Sequence, residues 1–215
     1  MNRPILFEGV DVAVPLTFAQ CKTLKDVGYR FVCRYYTDYS DPKQMWKLIS
    51  KDEAIMISKA GLDIIAIYEL GGRGNKTYSK ETGKKDCINA IRCAEKIGQP
   101  SNTTIYFAVD SGVKLNYGIE CISNYFEGIN EQMKLYKNTS DNEGWNLGIY
   151  GSYYVIEYMH NRCGIVNYWQ TAAWSETKIS DKADFMQYIL NISAHGIYAI
   201  DMNISYTPIL GQFRI

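Results

Sequence analysis

Four acidic residues each close a short apolar run: Gly9-Val10-Asp11, Ile67-Tyr68-Glu69, Val109-Asp110 and Ile200-Asp201. Alternate residues of a strand share a face, so Asp11 goes with Phe7 and Gly9, Glu69 with Ile65 and Ile67, and Asp110 with Tyr106 and Ala108. Each acid can therefore point into one interior. Several carboxylates in one partly dry mouth cannot all ionise cheaply, and repulsion with desolvation raises at least one pKa. A protonated acid then stands beside a carboxylate, the pair that cleavage of a glycosidic bond requires. Glu69 is the first choice of general acid and Asp110 the second, with Asp11 and Asp201 orienting a substrate or stabilising positive charge on it. A lone strand-end acid would more simply cap a loop or pair with Arg34. Four at equivalent places weaken that explanation.

Arg34, Tyr36, Tyr68, Tyr106, Tyr150, Trp169, Gln170, Trp174 and Gln187 also fall near strand ends. Flat aromatic faces with a polar handle suit sugar rings, and amides suit hydroxyls, so these are the candidate substrate contacts. The 18 tyrosines dilute the argument, since many must belong to the core or the surface. Arg34 is expected to orient Asp11 or Glu69 rather than to touch substrate. His160 and His195 have no nucleophile at a recognisable spacing, and Gly148-Ile149-Tyr150-Gly151-Ser152 does not form a nucleophile elbow. Gly71-Gly72-Arg73-Gly74 lacks the Lys-Ser/Thr of a phosphate loop and reads as a mobile loop on the active face. The cysteines at 21, 33, 87, 93, 121 and 163 form no CxxC or His-containing ligand spacing. Buried free thiols are expected, with no metal site and no cofactor.

Such acids need a scaffold that brings distant strand ends together. Short β-rich runs alternate with amphipathic stretches, the pattern of βα units around a parallel sheet. Strands are expected at 5–13, 29–36, 63–70, 104–110, 146–152 and 168–174. Helices open at the cap-like Thr17-Phe18-Ala19-Gln20 and Ser50-Lys51-Asp52-Glu53, and others cover about 81–97 and 153–163. The stripe Ile119, Ile122, Phe126, Ile129, Met133 marks one more helix. Beyond Trp174 the helical rhythm fails, and 185–189 and 197–204 read as short strands. The expected fold is a TIM-like α/β barrel whose last strands carry few or no helices, with residues 1–215 as one domain and the strand-end acids on its active face.

Composition sets the remaining bounds. The 23 basic and 23 acidic residues cancel, so no long-range field favours nucleic acid or an anionic membrane. No run approaches membrane-spanning length, and no signal-like apolar stretch precedes Glu8. The chain is expected to be soluble and monomeric, with a glycan as partner and no nucleic acid.

Several stretches in order resemble the glycoside-hydrolase-like barrels that neighbour the family 25 lysozymes. They are Gly9-Val10-Asp11, 28–36, Ala60-Gly61-Leu62, Ile67-Tyr68-Glu69, 97–100 leading to 105–110, Gly148 to Ser152, Trp169-Gln170-Thr171 with Ala173-Trp174-Ser175, Gln187-Tyr188 and Asp201-Met202-Asn203. The resemblance implies a site around Asp11, Glu69, Asp110 and Asp201, and peptidoglycan or a related amino-sugar glycan as substrate. The lysozymes carry Asp-x-Glu on strand four with the Glu as proton donor, whereas this chain has Asp110-Ser111-Gly112. Either Glu69 takes that role or the barrel binds cell-wall glycan without cutting it. A phosphodiester-cleaving barrel would need paired histidines in the early strands, which are absent.

Overall fold

A computed structural model of the chain describes residues 3–70, 78–112 and 118–215. Eight strands close into one barrel in sequence order: β1 (Phe7–Val12), β2 (Phe31–Tyr36), β3 (Asp63–Tyr68), β4 (Thr104–Ala108), β5 (Asn146–Gly151), β6 (Ile165–Thr171), β7 (Phe185–Ala194) and β8 (Ile197–Ser205). The fold is a TIM-like mixed barrel. Helices α1 (Phe18–Asp26), α2 (Lys51–Lys59), α3 (Lys80–Ile97), α4 (Gly118–Thr139) and α5 (Tyr153–Met159) fill the crossovers between β1 and β6.

Helix starts follow from local chemistry. The Thr17 and Ser50 hydroxyls accept the backbone N–H of Gln20 and Glu53, and the Gln20 side chain accepts the Thr17 N–H in return, so a first-turn donor of each helix is capped. No helix lies between β6 and β7, and β8 follows β7 by a turn at His195-Gly196.

Two findings depart from expectation at this end of the chain. The last strands are the longest rather than short, and β7 carries three register shifts against β8, between Gln187 and Ala194. Strand β8 also runs antiparallel to both β7 and β1, with Asp11 opposite Asp201. Asp201 thus reaches the common face from the middle of its strand, not from a carboxyl end.

Strand alternation splits the core into two layers. Phe31, Cys33, Ile65, Ile67, Tyr106, Ala108, Tyr150, Trp169 and Phe185 fill the barrel, with the Trp169 and Phe185 rings stacked at 4.8 Å between centroids. Val10, Val32, Tyr36, Ile64, Tyr68 and Phe107 belong to the outer layer beneath the helices. Leu210 joins the inner layer, and the tail around it is pinned where the strands begin: Thr104 N–H donates to the Gly211 carbonyl at 2.9 Å, and Phe213 bridges Ile64. This tail closes the end of the barrel opposite the acids.

Candidate functional site

The inward faces of β1 and β8 and the residues just past the ends of β3 and β4 bring Asp11, Asp201, Glu69 and Asp110 into electrostatic contact in one mouth. Asp11 is the deepest, 2% exposed. Burial and then the Asp201 charge push its carboxyl well above the usual range, with a smaller push from Glu69 and an opposing pull from the Tyr35 and Gln187 hydrogen bonds. Burial also raises Asp201, against the Asn191 N–H that donates to its Oδ1 at 2.6 Å. Asp110 is half-buried and raised by burial and by Glu69, against Lys47. Glu69 lies 3.0 Å from the Lys47 ammonium, and that lysine comes from a 3₁₀ turn at Met45–Lys47.

Gln187 ties the mouth together. Its Nε2 donates to Asp11 Oδ2 and Asp201 Oδ2 at 2.8 Å each, and its Oε1 accepts the Tyr150 and Thr171 hydroxyls at 2.8 Å each. Carboxylates accept only, so this amide orientation is the one that leaves none of the four contacts repulsive.

Trp174 stands at the rim. It is 44% exposed, beyond the end of β6 in a loop where Trp174, Glu176 and Thr177 all have positive φ. A Cβ on Gly112 would lie 2.8 Å from the indole Cδ1, so the indole occupies the space a side chain at 112 would need.

The other expected contacts lie elsewhere. Arg34 points to the helix layer, where Nε and Nη2 make a bidentate pair with Glu53 at 2.7 and 3.0 Å and Nη1 donates to the Val12 carbonyl. It touches neither Asp11 nor Glu69. Tyr36 donates to Gln99, Tyr68 to Asp86, and Gln170 bonds the Lys178 carbonyl and the Ser180 N–H, all outside the barrel. One parity step explains these placements: each sits next to an inward residue and so faces the helices. Tyr106 and Trp169 do point inward, but both are fully buried below the mouth, donating to Leu210 O and Asn203 Oδ1.

Tyr35, Lys47 and Thr171 were not foreseen. The parity of Phe31 and Cys33 identifies Tyr35, and that of Trp169 identifies Thr171; Lys47 sits in a polar loop with no periodic signal. Gly71 to Gly74 lie outside the described residues. The six cysteines are free. Among the described residues, no group of three His, Cys, Asp or Glu is placed to hold a metal, and no helix is long and apolar enough to cross a membrane.

The family model for the Rv2525c-like, glycoside hydrolase-like domain matches residues 22–205. The chain belongs to this family. Bacillus subtilis FadG and YbfG are 35% and 32% identical over 143 residues, 65% and 66% of this chain. That region makes up 23% of FadG and 20% of YbfG, so the chain spans about a quarter of these relatives or less. The Mycobacterium tuberculosis Tat-secreted protein Rv2525c, solved with L-tartrate, superposes at TM-score 0.76 with 19% identity, covering 96% of this chain and 98% of that one. A family 25 glycosyl hydrolase of Bacillus anthracis superposes at TM-score 0.58 with 16% identity, covering 96% and 91%. The Rv2525c-like domain thus shares its barrel with lysozymes.

Proposed function

We propose that the barrel is a glycoside hydrolase acting on peptidoglycan or a related amino-sugar glycan. The observation that carries the reading is the raised, half-buried Asp110 beside Glu69 in a mouth that also holds Asp11 and Asp201. Asp110 takes the proton-donor role ahead of Glu69, because Glu69 is gripped by the Lys47 ammonium and suits the carboxylate role better. Asp110 protonates the leaving oxygen as the glycosidic C–O bond breaks, Glu69 with Asp201 stabilises positive charge at the sugar, and a water then adds to the anomeric carbon and gives its proton back to the Asp110 carboxylate. Incubation with purified peptidoglycan and chitin fragments should release new reducing ends, and Asp110→Asn should abolish the release. Full activity of that variant would remove Asp110 from the mechanism.

The Trp174 indole over Gly112 favours a second reading, a cell-wall-binding barrel without turnover. Fragments would then bind, Trp174→Ala would weaken them, and no reducing ends would appear with any carboxylate intact.

A further inference from the structure

Asp11 Oδ1 is buried, and no hydrogen bond of normal geometry reaches it from the described residues, the nearby Tyr35 hydroxyl included. A buried acceptor left in this state carries a desolvation cost that a ligand donor can remove. The groups that bear on it are Asp201 from β8, Glu69 beyond the end of β3, Tyr35 and Cys33 from β2, Tyr150 from β5 and Gln187 from β7, with Asp110 next to Glu69. The described cation among them, Lys47, pairs with Glu69.

Candidate donors differ in how they meet this wall. A sugar carboxylate would be repelled by the acids. An acetamide brings one N–H and no charge. A hydroxyl can donate but brings no charge. A primary ammonium brings three donors and a positive charge, so it can serve Asp11 Oδ1 and Asp201 together, and charge-assisted bonds of this kind are about twice as strong as neutral ones.

We propose that the mouth selects a glycan whose sugar beside Asp11 and Asp201 bears a free primary amine, a glucosamine-type unit rather than its N-acetylated form. The proposal rests on the reading of the mouth as a glycan site. The bound ammonium fills the empty acceptor of Asp11 and screens Asp11 from Asp201, which share only the Gln187 amide without it.

Calorimetric titration with a glucosamine tetramer and with its fully N-acetylated counterpart, at mildly acidic pH and low salt, tests this. The amine form should bind at least about tenfold more tightly, and added salt should erode the difference. Asp11→Asn, folded by its melting curve, should lose the preference; Asp201→Asn serves should that variant not fold. Equal affinity, tighter binding of the acetylated form, or no binding of the amine form overturns the proposal. Reducing-end release from acetylated glycan without amine preference would leave the hydrolase standing and remove this inference. Amine preference without release from any glycan would do the reverse.

Discussion

Gln187 holds two carboxylates with one nitrogen and two hydroxyls with one oxygen, so its loss touches the β1, β5, β6 and β8 sides of the mouth. Gln187→Leu leaves Asp11 and Asp201 facing each other unbridged and two buried hydroxyls without their acceptor. We expect a destabilisation on the order of 2–4 kcal/mol, measured by urea unfolding. Asp110 gives the opposite sign. Its folded pKa is raised, so ionisation penalises the fold as pH climbs past the unfolded value of about 3.9, and the penalty is complete once the folded pKa is passed. Asp110→Asn should therefore raise the melting temperature at neutral pH, with the gain vanishing below the unfolded pKa. A lower melting temperature at neutral pH would show that Asp110 is a structural partner and not a strained acid. Asp11, Glu69 and Asp110 were legible because period-two alternation after an apolar run is a local signal, whereas Asp201 reaches the mouth on a strand that runs the other way. Arg34, Tyr36 and Tyr68 were misplaced by one parity step, and applying the same alternation to β2 selects Tyr35 instead.

At the scale of elements, the Arg34–Glu53 pair fastens α2 to β2 with both side chains almost completely buried. Removing one partner strands a buried charge, so Arg34→Met or Glu53→Met should each cost about 3–5 kcal/mol. The double variant should recover much of the loss, which a double-mutant cycle in urea would show. Nothing local in the sequence joins residues 19 apart on a strand and a helix, so this pair was out of reach, whereas the caps of α1 and α2 were readable from four consecutive residues each. The direction of β8 was hidden for another reason. The run 197–204 alternates identically whichever way the strand is laid in the barrel, and only the tight His195-Gly196 turn decides that it doubles back.

For the whole molecule, the tail beyond β8 matters as much as the acids at the other end. Leu210 is 1% exposed inside the barrel floor, and its carbonyl accepts the Tyr106 hydroxyl. Leu210→Ala should cost about 2–5 kcal/mol through the cavity it leaves, seen as a lower denaturant midpoint with unchanged glycan binding. The sequence marks this tail only as an apolar remnant after the last strand, because its partners Thr104, Tyr106 and Ile64 lie more than 100 residues earlier. The antiparallel return of β8 also settles how the barrel would respond to tension. Strand β1 begins, and β8 ends, on the floor side, where Phe7 pairs with Ser205. A pull on the two ends would first peel the tail from β3 and β4. It would then open the β1–β8 ladder one rung at a time from Phe7 and Ser205, as a zipper opens, instead of loading all its hydrogen bonds together as a shear would. The barrel should therefore yield at low force, from the floor upward, with the Asp11–Asp201 rung among the last of that ladder to part.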